Sequence, residues 1–83
     1  MIEISSHAID QASEHCLDLW RQWVLIKEEG LYSWLQRVVA ETVRSEGPEG
    51  CLCHPRIKGM KMNIIPFSSR KGCGYLLLSI ERL

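Results

Sequence analysis

Apolar side chains recur at intervals of three and four residues over the first half of the chain, which is the spacing of one face of a helix. The first series consists of Ile9, Ala12, Cys16, Leu19, Trp20 and Trp23. It predicts a helix over about 6–26, with Ser5 or Ser6 as its N-cap. The second series consists of Leu31, Trp34, Leu35, Val38, Val39 and Thr42. It predicts a helix over about 31–45, which the glycines and proline of residues 47–50 end.

After residue 50 the apolar positions alternate with polar ones, which is the pattern of a half-exposed strand. Lys61 and Asn63 separate the apolar residues over 60–65. Residues 73–80 are almost all apolar, so we predict that they form a central strand. Residues 68–72 are expected to form a five-residue hairpin turn between the two strands.

The order of these elements predicts an α+β fold, in which two N-terminal helices pack on one face of a small three- or four-stranded antiparallel sheet. The sheet is expected over about 51–81, and the alternation of Ile2 and Ile4 around Glu3 is compatible with a further short strand. Because the chain has only 83 residues, we expect a single domain that spans residues 1–83.

Composition excludes two classes of protein. Since 46% of the residues are hydrophobic and the formal net charge is +0, the chain is not intrinsically disordered. The longest uncharged apolar runs, such as residues 75–78, are far shorter than the roughly 18 residues of a spanning helix, so we expect no membrane partner. The N-terminus lacks a basic segment followed by an apolar one, which predicts a cytoplasmic protein. The low net charge predicts a homo-oligomer or an obligate partner.

The zero net charge conceals two halves of opposite sign. Residues 1–50 contain four bases and nine acids, a net charge of −5, whereas residues 51–83 contain six bases and one acid, a net charge of +5. A basic surface of this kind is suited to phosphates or to an acidic protein. The alternative is that the basic half lies against the acidic half of the same chain.

Two histidines stand near residues that suit phosphodiester chemistry. His54 lies two residues before Arg56 and four before Lys58, and His7 lies at the start of the first predicted helix. Imidazole can move protons, and nearby cations can stabilise the charge that develops on phosphorus. We therefore predict a metal-independent ribonuclease site whose catalytic residues are His7, His54 and Arg56.

The four cysteines allow a different hypothesis. Cys51, Cys53 and His54, with Cys73 on a neighbouring strand, could supply four zinc ligands. Alternation along a strand, however, directs His54 to the opposite side from Cys51 and Cys53. Free thiols are expected in a reducing compartment, and the favoured interpretation is buried thiols with no metal and no cofactor.

The segment Ser6-His7-Ala8-Ile9-Asp10 is followed by a tryptophan-containing helix, a basic segment over 56–60 and an apolar final strand. This arrangement resembles small bacterial and phage domains that open with a Ser-x-His-Ala helix. Those domains are grouped with the RelE-like and barnase–EndoU–colicin nuclease superfamily. Gln11 stands where they commonly carry an arginine.

The resemblance implies a fold, an activity and partners. The fold is two helices followed by an antiparallel sheet. The activity is that of a toxin that cleaves RNA without a metal, often on the ribosome, and that an antitoxin holds inactive. The residues expected to hold the RNA backbone are Lys58, Lys61, Arg70 and Lys71.

A second hypothesis belongs to a different class: a non-catalytic interaction module from a phage or mobile element, acting as an oligomer or as an inhibitor of a host protein. It predicts that one of Trp20, Trp23 and Trp34 is exposed at an interface. The alternative is that all three tryptophans pack in the core between the helices and the sheet.

Overall fold

The computed structural model describes residues 1–24 and 28–83. In chain order these residues form β1 (Ile2–Ile4), α1 (Ser6–His15), α2 (Leu17–Trp23), α3 (Leu31–Glu46), β2 (Gly50–Cys53), β3 (Met60–Ser69) and β4 (Gly72–Arg82). The strands form one sheet in the order β1-β4-β3-β2, with β1 parallel to β4 and the other pairs antiparallel. The α+β class is confirmed. The sheet is mixed rather than antiparallel, because a first strand precedes the helices and pairs with the last one.

The helix predicted over 6–26 is divided at Cys16, whose backbone leaves the helical region with φ −125° and ψ 13°. The Cys16 amide donates to Ala12 at the end of α1, and its carbonyl accepts from Trp20 in α2. The Cys16 side chain is fully buried, so the apolar spacing continues across the break and conceals it in the sequence. Residues 25 and 26 of the predicted helix lie outside the described residues. No described helix is long and apolar enough to cross a membrane.

The core lies between the helices and one face of the sheet, which we call the inner face. Its side chains from the sheet are Ile4, Met60, Met62, Ile64, Leu77 and Ile80. Those from the helices are Ala8, Ala12, Cys16, Leu19, Trp34, Leu35, Val38 and Val39. No described helix packs on the opposite side, which we call the outer face.

A β-bulge lies in β4, where Leu78 has no partner between the pairs Asn63–Ser79 and Ile64–Leu77. The extra residue brings both Leu77 and Ile80 to the inner face although they are three positions apart. The bulge therefore explains why the apolar run of this central strand does not alternate.

The turn between β3 and β4 is shorter than the predicted five residues. Pairing continues to Ser69 and Gly72, so only Arg70 and Lys71 form the turn. The Ser69 hydroxyl accepts from the Lys71 amide at 3.2 Å, and Gly72 has φ +130°, a conformation that side chains disfavour. Both cations are exposed at the tip of this hairpin.

Gly74 is the position at which Met1, the residue before β1, lies against β4. A Cβ atom there would meet the Met1 carbonyl, which accepts a hydrogen bond from the Tyr75 amide at 2.9 Å. We therefore expect Gly74→Ala to push the Met1 carbonyl away and to lower the free energy of unfolding by about 1–3 kcal/mol in urea titrations. Amide exchange should accelerate at Tyr75. An unchanged stability together with an unchanged Tyr75 amide would contradict the close approach.

Candidate functional site

The outer face is polar at the end of the sheet where β4 finishes. Strand alternation and the register place Lys61 between Cys53 and Glu81, on the two neighbouring strands. The next row places Asn63 between Cys51 and Ser79 in the same way. The two rows together contribute an ammonium, a carboxylate, an amide, a hydroxyl and two thiols to this end of the outer face.

Helix α1 borders this polar end because the pairing of β1 with β4 stops at Leu77. Beyond that point the backbone of β4 forms hydrogen bonds with α1 and its N-cap. The Ser5 hydroxyl donates to the Leu78 carbonyl at 2.7 Å, and Gln11 Oε1 accepts from the Ile80 amide at 2.7 Å. His7 lies one helical turn before Gln11 and so on the same side of α1. The contacts of Gln11 therefore bring His7 to the rim of the sheet.

A groove of about 410 Å³ results between α1 and the outer face. The polar residues that line this outer-face groove are His7, Gln11, Cys51, Lys61, Asn63, Ser79 and Glu81. The His7 side chain is exposed and makes no side-chain hydrogen bond to a described residue. Lys61 likewise makes no ion pair with a described carboxylate. Both groups are therefore available to a ligand.

His54 has a different environment, because both of its ring nitrogens are engaged by the protein. Nδ1 accepts from the amides of Arg56 and Ile57 at 3.0 and 3.2 Å. Nε2 lies 2.9 Å from Glu41 Oε1 and must carry the proton, because Nδ1 is an acceptor. The residue is only 2% exposed. His54 thus holds the turn after β2 and ties it to α3.

Glu41 is the centre of an ion-pair network on α3. Its carboxylate lies 3.7 Å from both Arg37 Nη1 and Arg56 Nη2, in addition to the His54 contact. Arg37 is held in turn by Glu29, whose hydrogen-bonded carboxylate raises the pKa of the guanidinium. The charge of Arg56 therefore faces a carboxylate of the first half of the chain.

The three predicted catalytic residues do not share one cavity. His54 and Arg56 line a separate concavity of about 460 Å³ with Glu41 and Arg44, whereas His7 lines the outer-face groove. Of the predicted RNA-binding residues, Lys61 is in the same groove as His7. The other three are exposed, with Lys58 after the His54 turn and Arg70 and Lys71 at the hairpin tip.

The basic half of the chain is neutralised by the acidic half in part only. Arg56 faces Glu41, and Arg82 Nη2 lies 2.9 Å from Asp18 Oδ2. No ion pair to a described carboxylate is formed by Lys58, Lys61, Arg70 or Lys71.

The cysteines do not converge on His54. Cys51 and Cys53 are exposed on the outer face, whereas the imidazole of His54 is buried on the other side. Cys73 pairs with Ser68 near the hairpin turn, at the opposite end of the sheet. Within residues 1–24 and 28–83, no group of three or more histidine, cysteine or acidic side chains is arranged to hold a metal ion.

Several lining residues of the groove are missing from the sequence prediction, namely Gln11, Asn63, Ser79 and Glu81. The alternation around Met62 could have predicted Asn63, because it places Asn63 on the same polar side of β3 as Lys61. Ser79 and Glu81 reach the same face only through the bulge at Leu78, which the apolar run conceals.

Replacing His54 should reveal its structural role. We expect His54→Ala to lower the free energy of unfolding by about 2–4 kcal/mol, because two amides and a carboxylate lose a buried partner. His54→Asn should lose less, since an amide oxygen can accept from the amides of the following residues. Arg56, which is 68% exposed, is the control, and Arg56→Ala should cost under about 1 kcal/mol. Equal losses for His54→Ala and Arg56→Ala in urea titrations would contradict this role.

The thiols should fall into two classes towards Ellman's reagent. Cys16 is buried, and this burial raises the pKa of its thiol, an effect that nearby Arg82 partly opposes. Cys51, Cys53 and Cys73 are exposed. We therefore expect three thiols to react rapidly in the native protein and the fourth only on unfolding, because the thiolate is the reactive form. Rapid reaction of all four, or of fewer than three, would contradict the assignment.

Comparison with known proteins gives no relative for this arrangement. No protein-family model matches the chain, and no curated protein and no solved structure is significantly similar to it. What the site does must therefore be inferred from its own geometry.

Proposed function

We propose that the protein is a small RelE-like, metal-independent ribonuclease whose reaction takes place in the outer-face groove. The observation that carries this proposal is that His7 and Lys61 line one open groove and that neither is held by a described side chain. In cleavage of a phosphodiester by its own 2′-hydroxyl, an imidazole without a partner can serve as the general base and an ammonium without an ion pair can stabilise the developing charge.

The chemistry assigns one role to each group. His7 removes the proton from the ribose 2′-hydroxyl, whose oxygen forms a bond to the adjacent phosphorus. The bond from phosphorus to the 5′-oxygen breaks, and this oxygen takes up a proton from the solvent that reaches the groove. Lys61 stabilises the negative charge on the non-bridging oxygens in the transition state. The products are a 2′,3′-cyclic phosphate and a 5′-hydroxyl.

This proposal changes the predicted catalytic set. His54 is withdrawn from solvent, and each of its nitrogens already has a partner. Arg56 is oriented towards Glu41 and lines a different concavity. Catalysis is therefore proposed to depend on His7 and Lys61, with Asn63 and Ser79 in reach of the sugar and phosphate oxygens.

The non-catalytic interaction module draws less support. Trp34 is 0% exposed, and Trp20 and Trp23 are half-buried and pack against the core. None of the three tryptophans is fully exposed, so this hypothesis draws its support from the half-buried Trp20 and Trp23 alone. The ribonuclease proposal includes two further parts: the protein acts in the cytoplasm, and an antitoxin is its partner.

Cleavage of a labelled RNA oligonucleotide tests the proposal, with and without ribosomes. We expect the wild-type chain to yield 2′,3′-cyclic phosphate ends in the presence of EDTA. His7→Ala should lower the rate by about 100-fold or more. Lys61→Ala should lower it as well, and Lys61→Arg should restore part of it because the positive charge returns.

The matched control is His15→Ala, because His15 is an exposed histidine of the same helix that lies outside the groove. Its rate should equal that of the wild type. The proposal is wrong if the wild-type chain cleaves no RNA under either condition, or if His7→Ala cleaves as fast as His15→Ala.

A further inference from the structure

Two thiols lie side by side on an edge strand of the sheet, and the proposed ribonuclease does not use them. Strand β2 carries Cys51 and Cys53, which we call the dithiol pair, on the outer face, and both are exposed. Since a strand rises about 3.3 Å per residue, their Cα atoms are about 6.6 Å apart and their Cβ atoms point the same way. One short segment therefore presents two soft donor atoms to the solvent.

The spacing of the dithiol pair suits a bridging metal ion better than a disulfide. A disulfide requires Cβ atoms about 3.8 Å apart. The strand holds the two Cβ atoms about as far apart as the Cα atoms, so closing that bond would distort the pairing of β2 with β3. A metal ion with metal–sulfur bonds of about 2.3 Å, as in zinc sites, spans about 4.6 Å between two sulfur atoms in line. Rotation about χ1 brings the two sulfur atoms to this separation while the backbone stays in place.

The number and softness of the donors determine which ion fits. Within residues 1–24 and 28–83, no third histidine, cysteine or acidic side chain joins the dithiol pair in a group that is arranged to hold a metal. Zinc takes four ligands in structural sites, so the pair supplies two too few. Thiolates are soft ligands that select Cu(I), an ion that two thiolates alone can coordinate in a linear arrangement.

The charges beside the dithiol pair also suit a monovalent ion. Two thiolates and one Cu(I) ion together carry one net negative charge. The register places Lys61 directly beside Cys53, and Lys61 forms no ion pair with a described carboxylate. Glu81 lies on the far side of Lys61, one strand further from the sulfur atoms. The nearest charge to the complex is therefore an ammonium, which stabilises an anion.

We propose that Cys51 and Cys53 bind one Cu(I) ion between their sulfur atoms, with the Lys61 ammonium beside the complex. Each thiol releases its proton to the solvent when its sulfur coordinates the metal, and no electron is transferred. Both side chains are exposed, so the ion can enter and leave by exchange with the thiol of a small molecule. The inference does not depend on the ribonuclease, although Cys51 and Lys61 also line the outer-face groove.

Titration with Cu(I) in the absence of oxygen tests the inference, with ascorbate as the reductant and bicinchoninate as the competing chromophoric chelator. We expect the wild type to bind one ion per chain. Cys51→Ser and Cys53→Ser should each lower the affinity at least about 100-fold, because a second donor on the same segment acts at a high effective concentration. Cys73→Ser is the matched control, since Cys73 is an exposed thiol at the opposite end of the sheet. Its affinity should equal that of the wild type.

Two further measurements identify the contacts of the ion. Alkylation with iodoacetamide, followed by mass spectrometry, should modify Cys51, Cys53 and Cys73 in the metal-free protein and Cys73 alone after loading with Cu(I). Lys61→Ala should lower the affinity by about two- to fivefold, the size of one exposed ionic contact, and Lys61→Arg should restore it. Thermal unfolding of each variant shows that the fold is retained.

The outcomes separate this inference from the ribonuclease proposal. Binding of Cu(I) that requires both thiols, without any cleavage of RNA, supports the copper site and overturns the ribonuclease. Cleavage that depends on His7, with equal Cu(I) affinities for the wild type and Cys53→Ser, overturns the copper site alone. A copper-linked dimer in sedimentation equilibrium, in which each chain supplies one thiol, also overturns it.

Discussion

The backbone of β4 needs partners along both of its edges, and the way in which the chain supplies them determines where the candidate site lies. On one edge β3 pairs with the strand along its length except at the bulge, whereas on the other β1 pairs only with residues 75–77. The second half bonds to Ser5 and to Gln11 of α1. A helix that hydrogen-bonds to the edge of a sheet must lie along that edge. The side chain one helical turn before Gln11 can then reach the outer face of the sheet. His7 occupies that position.

The two faces of the sheet follow from this arrangement. The inner face contributes its apolar side chains to one core with the helices, so the chain obtains its stability there. The outer face is left with a polar end beside α1 and an apolar end beside the hairpin. The side chains of the outer face are not part of the core. They can therefore bind a ligand without a large cost in the free energy of unfolding.

His54 illustrates how a chemical motif can have a structural purpose. A histidine with arginine and lysine nearby is suited to phosphate chemistry, and the same histidine is suited to accept two amides in a turn and to donate to a carboxylate. These uses differ only in whether the ring is accessible, which depends on Glu41 of α3 and on the burial of the turn. Thirteen residues along the chain separate this pair, and the local sequence gives no sign that the two side chains meet.

The sequence predicts those elements whose signal is local. The spacing from Leu31 to Thr42 predicts α3 within a residue at its end, and the alternation around Met62 predicts the polar and apolar sides of β3. The break at Cys16 is concealed because its side chain is as buried as its neighbours. The parallel pairing of β1 and the bulge at Leu78 depend on contacts between distant residues, and so does the position of His7 and Lys61 in one groove. Topology of this kind has no local signal in a single sequence.

The pairing of the first strand with the last also has a consequence for biosynthesis. Residues 2–4 cannot acquire their neighbours in β4 until residues 75–77 have left the ribosome exit tunnel. The groove likewise combines His7, which is translated early, with Ser79 and Glu81, which are translated near the end of the described chain. A nascent polypeptide therefore has no assembled groove, and whatever the groove does begins only once translation of this region is complete.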